Sequence, residues 1–422
     1  MKIKSNNKRI ENILFYFMLC FSCIAYVGYY IFANQYGVSL MISYSRSSQQ
    51  MMATHNLLIL IARFGKDVVA VLLFLVETLS MNRTRRANVF VIMVGIVSYG
   101  TIVAIFNGAT VDIILSGYRM VLYFTALLMF FCKKTEPRLS INMFLRVIIC
   151  LLVINTVIAC SQAFDCVGFN LGLIGQGSYR FMGLFPAAAA YAFFCLGTAL
   201  FAYCVELDAQ SYHVNCKLIF VLAFIGCYVS GTRSSMINML FVLFAYFIKN
   251  TNMKVAQKIV LSAVLIVPVL FFAVQFANGI ANRGSIIENA LSGGRISVFL
   301  DTFLNQSLLH LVFGNGIGAG SNSAAVLGEL TQVNSIAVIL DGTFTTILYQ
   351  FGICGLIASL YLIWIIYKNI SNAKGFLNAM LFAFTIMLQC LNSNILEALP
   401  LLIMLFVCYY ALTCRDNIFY IE

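Results

Sequence analysis

The sequence predicts an all-α integral membrane protein: about twelve transmembrane helices, with one large periplasmic loop that contains short interfacial helices. Three observations predict it. Of 422 residues, 62% are hydrophobic and only 10% charged, and the mean hydropathy is +0.94, far outside soluble-domain composition. The apolar residues fall in runs of roughly the 20 residues that a helix needs to cross a bilayer. The basic residues crowd into alternate gaps, as the retention of Lys and Arg in cytoplasmic loops requires.

The first run, about residues 13–33, follows Lys2, Lys4, Lys8 and Arg9. It is too long for a signal peptide and lacks a small-residue cleavage site, so it reads as the first span. Further spans are expected at about 56–79, 89–107, 116–132, 141–160, 184–205, 215–230, 234–248, 259–278, 344–367, 376–392 and 397–413. Four prolines are all that interrupt the chain, and no internal repeat is visible. The gaps on the N-terminal side hold Arg83, Arg85 and Arg86, then Lys133, Lys134 and Arg138, then Lys249, Lys254 and Lys258, then Lys368 and Lys374, and finally Arg415. Both termini are therefore expected in the cytoplasm. The chain divides into nine spans over 1–278, the loop 279–343, and three spans with a cytoplasmic tail over 344–422. The net charge of +11 is mostly this sidedness, and it gives no reason to expect nucleic acid as a partner.

Most of the 14 cysteines sit in apolar runs, where a thiol behaves as a small hydrophobe. Cys20 and Cys23 form a CxxC with no second pair to complete a metal site. Cys160 and Cys166 flank an outer loop, where an oxidising compartment allows a disulfide.

Eighteen of the 26 basic residues obey the cytoplasmic bias. The other eight, Arg46, Arg63, Lys66, Arg119, Arg180, Arg233, Arg283 and Arg295, fall in outer loops or outer halves of spans. An ionised side chain at the bilayer centre costs about 2.5–3.5 kcal/mol on insertion scales, so something compensates. In the second span Arg63, Lys66 and Asp67 share a helix face, which allows an Arg63 to Asp67 ion pair and leaves Lys66 over. Arg119 has no carboxylate within a turn; it either snorkels to the interface or serves a ligand.

Arg180 in GSYRFMGLFP, Arg233 in SGTRSS and Arg295 in SGGRIS share a local pattern, each following Gly, Ser, Thr or Tyr at a membrane edge. Small residues let the backbone approach a ligand, and a guanidinium binds an oxyanion, above all phosphate, through two parallel hydrogen bonds. Gly183, Ser230 and Thr232 would support that site. Each arginine alone has a plainer reading as a lipid-headgroup contact; three together favour a shared phosphate site, with Lys66 and Arg119 as secondary members.

The loop 279–343 is long enough to call for a function or structure of its own. In SGGRISVFLDTFLNQSLLHLVFGNG the apolar residues recur at three and four, predicting one amphipathic helix from an N-cap at Ser292 to a stop at Gly314. That helix is expected to lie along the interface and close over a cavity. The following GNGIGAGSNS has neither the strand nor the Lys-Ser/Thr of a nucleotide fingerprint and reads as a flexible turn presenting backbone donors, Gly314 and Gly316 among them. Of the three histidines only His310, on the border of the apolar face, is placed for chemistry; His55 and His213 have no suitable partner. The outer carboxylates Asp112, Asp165, Glu288, Asp301, Glu329, Asp341 and Glu397 are the better acid/base candidates. Asp341, where the loop enters the tenth span, is favoured as general base because burial there raises a carboxyl's pKa, with Asp301 second. A helix-capping role for Asp341 is the alternative.

The ordered segments YRFMGLFP, SGTRSS, GGRISVFLDTFLNQSLLHLVFGNGIGAG and DGTFTTILYQFGICGL resemble the O-antigen polymerase and ligase superfamily of bacterial envelope enzymes. The resemblance spans most of the chain. It implies a glycosyltransferase of lipopolysaccharide biosynthesis that moves a glycan from undecaprenyl diphosphate at the periplasmic face, with no cofactor and no obligatory metal. The functional positions it implies are Arg180 with Gly183, Arg233 in its Ser/Thr setting, and Arg295 followed by the Gly314–Gly316 turn. Its implied partners are undecaprenyl-diphosphate-linked oligosaccharides, membrane lipids and a chain-length-determining co-polymerase. The ligase branch carries a His-Asn pair before the span with a Gly-x-x-Gly turn. Here that turn is Gly352 to Gly355 and the matching positions hold Asp341 and Gly342, which favours the polymerase branch. A ligase, or a transporter of the same lipids, is the alternative; a transporter calls for inverted repeats and broken helices at mid-membrane.

Overall fold

The computed structural model describes residues 2–24, 57–79, 85–131, 139–166, 180–185, 187–206, 216–250, 295–321, 342–413 and 419–420. Among them the chain is helical: α1 Lys2–Cys23, α2 Leu57–Leu79, α3 Arg85–Phe106, α4 Val111–Phe131, α5 Ile141–Cys166, α6 Ala188–Glu206, α7 Cys216–Val229 and α8 Arg233–Asn250. Then come α9 Arg295–Leu304, α10 Leu308–Phe313, α11 Thr343–Lys374, α12 Phe376–Asn392 and α13 Leu399–Thr413. Two short strands, β1 Leu139–Ser140 and β2 Phe419–Tyr420, pair in parallel.

Five described stretches are long and apolar enough to cross a membrane: Ala87–Phe106, Val111–Phe131, Ile141–Phe164, Ala188–Val205 and Thr343–Lys374. Four shorter apolar helices, Lys217–Val229, Arg233–Ile248, Phe376–Asn392 and Leu399–Thr413, pack among them. The protein is thus helical and built to be embedded in a membrane. The expected ninth span, about 259–278, lies outside the described residues.

Burial sorts the helices. α6 and α13 form the centre, with α6 packed against α7, α8 and α13. The run AAAYAFFCLG supplies small residues that let helices approach closely: a Cβ added at Gly197 would meet Met404 Cβ of α13 at 2.5 Å. Around this axis Phe15, Phe130, Phe131, Phe144 and Phe201 make one aromatic cluster joining α1, α4, α5 and α6. α3 lies at the edge, with Val91, Ile92, Ile102 and Ile105 exposed, as lipid-facing residues are.

Three expectations are corrected. The amphipathic loop helix is two helices, α9 and α10, broken at Asn305–Ser307. Ser307 is the N-cap of α10 and accepts a hydrogen bond from His310 N at 3.3 Å. The expected stop at Gly314 is present, with φ 80°; Ser292 lies outside the described residues. Cys160 is a free thiol. It and Cys166 lie on the one helix α5, six residues and roughly 9 Å of rise apart, too far for a disulfide. α6 starts at Ala188, later than the expected 184, because residues 180–185 form a turn with its own hydrogen bonds.

Candidate functional site

Chain reversals gather at one end of the bundle. They are the turn after α3, the segment before α6, the α7–α8 corner, the glycine-rich loop after α10 and the α12–α13 turn. Phe181 N donates to Val229 O at 3.3 Å, and Thr343 N donates to Ser393 O at 3.1 Å.

Arg180 and the corner that carries Arg233 meet there. At the α7–α8 corner, Ser230 Oγ donates to Cys227 O at 2.7 Å and accepts from Thr232 N at 3.2 Å. Gly231, at φ 62°, turns the chain in a conformation other residues resist. α8 then opens on Arg233 itself. Arg180 reaches the same corner: its Nη2 donates to Thr232 Oγ1 at 3.3 Å. A cation on the first residue of a helix opposes the helix dipole, whose positive end already favours an anion. Arg233 therefore adds its charge to a place that attracts an oxyanion, and Arg180 stands beside it.

The turn bearing Arg180 is clamped from α5. Gln162 Oε1 accepts from Met182 N at 3.0 Å and Gly183 N at 3.1 Å, while its Nε2 donates to Gly183 O at 3.1 Å. Asn155 Oδ1 accepts from Leu184 N at 2.8 Å. Gly183 has φ 59°, and a Cβ there would meet Asn155 O at 2.8 Å, so both conformation and space demand glycine. Gln162→Ala strands two buried backbone donors. We expect it to destabilise the protein by about 2–4 kcal/mol, read from thermal unfolding in detergent, with transfer activity falling in parallel as Arg180 loses its support.

Below Arg233 the bundle holds buried polar groups. Ser235 Oγ and both amide atoms of Asn238 on α8, and both amide atoms of Gln389 on α12, are buried without a hydrogen-bond partner among the described residues. α8 and α12 pack together, with the rings of Phe241 and Phe384 at 4.8 Å. Counting back from that contact, Asn238 and Gln389 lie within about 8 Å of it towards the arginine end. Sequence reading passed over Gln162, Asn155, Asn238 and Gln389. The available signal was the rarity of amides inside apolar runs, which marks buried or functional positions.

Arg295 opens α9 as Arg233 opens α8. α9 packs on α11 and on α12, the helix that α8 also touches; the side chains of Arg295 and Asp301 lie outside the described part, as do Asp341, Glu288 and Glu329. Of the described carboxylates, Asp112 is exposed, and Glu397 sits on the α12–α13 turn that Thr343 binds through Ser393 O at 2.7 Å.

The glycine-rich loop differs from its expectation. It is buried from Gly314 to Ser321, and its donors are consumed by the bundle: Asn315 N by Tyr349 O at 2.8 Å, Gly316 N by Gln350 O at 3.0 Å and Ile317 N by Gly100 O at 3.0 Å. Gln350 Nε2 donates back to Ala319 O at 3.0 Å. The glycines exist because helices crowd them. A Cβ at Gly316 would meet the Ala104 backbone, one at Gly318 would collide with Ile113 O, and the break in α11 at Gly352, φ 67°, abuts Val312 O. Gly314 and Gly316 therefore lock the loop to α3 and α11. His310 serves the same attachment, with Nε2 3.2 Å from Asn107 Oδ1 and Nδ1 3.1 Å from Ser307 Oγ.

Arg119 does have a carboxylate, contributed by a neighbouring helix. Its Nε donates to Asp67 Oδ1 at 2.7 Å and to Tyr123 Oη at 2.9 Å, and Tyr123 Oη donates to the same Asp67 oxygen. Asp67 is thus the partner of Arg119, whereas the Arg63 side chain lies outside the described part. Lys66, the residue before Asp67 on α2, is half-buried. Replacing Asp67 alone by Leu leaves a guanidinium in an apolar setting. We expect a loss of about 3 kcal/mol, with most of it recovered in the Asp67→Leu/Arg119→Met double variant, measured as a thermodynamic cycle.

No protein-family model and no curated protein matches the chain.

Proposed function

We propose that the chain is an O-antigen polymerase: it transfers a growing glycan from undecaprenyl diphosphate to a sugar hydroxyl of an incoming lipid-linked repeat unit at the periplasmic face. The observation that carries this reading is that Arg180 reaches the helix start that Arg233 occupies. Arg180, from a distant segment, donates to Thr232 Oγ1 at 3.3 Å, and Arg233 is the next residue, the first of α8, a setting that suits a diphosphate. Arg295, opening α9 against the shared neighbour α12, is the third member.

In the reaction the acceptor oxygen bonds to the anomeric carbon as that carbon's bond to the diphosphate oxygen breaks. Negative charge grows on the departing polyprenyl diphosphate, and fixed guanidiniums in a low-dielectric cleft stabilise it more than water-exposed ones do. The hydroxyl's proton goes to a carboxylate, with Asp341 as the assigned base and Asp301 the second choice. The energy resides in the sugar–diphosphate bond, so a sugar nucleotide has no part in the scheme.

The test is reconstitution: purified protein in vesicles, given synthetic undecaprenyl-diphosphate repeat units, with products sized by mass spectrometry. A ladder of repeat multiples is the expected product. Transfer only to lipid A-core makes the protein a ligase, and lipid movement without any new covalent product makes it a transporter.

A further inference from the structure

A second feature lies away from the Arg180–Arg233 corner, on the flank of the bundle. α2, α3 and α4 enclose a side-facing groove with a cavity of about 510 Å³, within the usual size range of small-molecule sites. Its walls are almost wholly apolar, from Phe64 and Leu115 at one end to Phe74 and Phe90 at the other, where the two rings lie 6.3 Å apart. The charged pair Asp67 and Arg119 also lines it.

That pair is incompletely used by the described residues. Arg119 spends only Nε on Asp67 Oδ1 and Tyr123 Oη, leaving its two terminal nitrogens without a hydrogen bond to the described residues. Asp67 Oδ2 is buried with no donor among the described residues. In a hydrocarbon setting each such group costs several kcal/mol unless something pairs with it. The groove therefore offers an anion-accepting fork and a hydrogen-bond acceptor side by side. The charges lie about one turn below the Phe64 and Leu115 end, and Phe74 lies a further seven residues, roughly 10 Å, along α2. Polar groups at one end and an apolar trough running away from them match one lipid chain with its head.

We infer that this groove is a lipid slot. It takes the proximal part of a single-chain polyprenyl diphosphate sugar, with Arg119 donating to phosphate oxygens and a sugar hydroxyl donating to Asp67 Oδ2. The polyprenyl identity rests on the proposed function; the slot itself rests on the groove and its charges. The slot gives the polymerase a second lipid station, as a reaction that joins two lipid-linked substrates requires.

The experiment uses full-length protein in nanodiscs and two photoreactive probes, a diazirine-bearing polyprenyl diphosphate sugar and a diazirine-bearing phospholipid. Labelled peptides are mapped by mass spectrometry. The polyprenyl probe is expected to label Met93, Val94 and Leu122 at least about tenfold above the lipid-exposed face of α11. Val94→Trp, which fills the trough, is expected to remove that enrichment while the thermal transition and elution volume stay at wild-type values. Asp67→Asn keeps the shape, and it is expected to weaken labelling by the sugar-bearing probe more than by plain polyprenyl phosphate. Even labelling around the bundle, equal enrichment by the phospholipid probe, or an undiminished signal in Val94→Trp would overturn the inference. Repeat-unit polymerisation is scored separately: groove labelling by a wild-type protein that makes no polymer refutes the function and spares the slot, and the converse refutes the slot alone.

Discussion

Arg233→Ala, expressed in cells that lack the native protein, is expected to yield lipopolysaccharide capped with a single repeat unit and no ladder. Removing one donor that stabilises charge in a transition state typically costs about 10²–10³ in rate, and here the group lost also binds the substrate. Arg233 is half-buried at the first residue of α8, so its removal relieves an unfavourable cation at a helix start and leaves the packing below it in place. Protein abundance and thermal transition should therefore stay near wild type, separating lost chemistry from lost fold. Arg233→Lys keeps the charge but not the planar fork, and an intermediate, shortened ladder is expected. A full ladder from Arg233→Ala would remove this residue from the site.

Gly318→Val is expected to abolish folded protein. The position has φ 86°, which β-branched residues strongly resist, and its Cβ would be driven into Ile113 O of α4. The atoms it would meet, of Ile113 and Gly117, are backbone, which cannot swing aside. Strain and overpacking together exceed about 4 kcal/mol, a large part of a typical folding free energy. Gly108→Ala is the control. It has nearly the same handedness, φ 72°, with nothing within 4 Å of an added Cβ. Its cost is conformational only, about 1–2 kcal/mol, and it should be produced near wild-type level. Equal yields of the two variants would show that the loop 314–321 is not seated between α3, α4 and α11.

The helices were legible because a bilayer imposes a length and an apolar composition that one sequence displays directly. α4, α8 and α12 lie within a few residues of their expected spans for that reason. That Arg180 and Arg233 call for a partner was legible, since a guanidinium in an apolar chain demands an explanation. What no local pattern carried was who lies across from whom. Asp67 was expected to serve Arg63 on its own helix, and it serves Arg119 on another. The glycine-rich loop looked like a free donor turn because glycine spacing is the same whether a ligand or a neighbouring helix comes close; Ala104 and Ile113 are those neighbours. Gln162 was invisible for a related reason, because an amide that binds a backbone turn twenty residues away leaves no periodic trace.

The central claim is that Arg180 and Arg233 hold one and the same diphosphate. It is tested most directly by the affinity of purified wild-type, Arg180→Gln, Arg233→Gln and double-variant protein for a short-chain polyprenyl diphosphate, by calorimetry in detergent. Each single change is expected to weaken binding by about 10–100-fold, and the double change by clearly less than the product of the two, a coupling of about 1 kcal/mol or more. Two independent losses that multiply, or singles that bind as tightly as wild type, would contradict it.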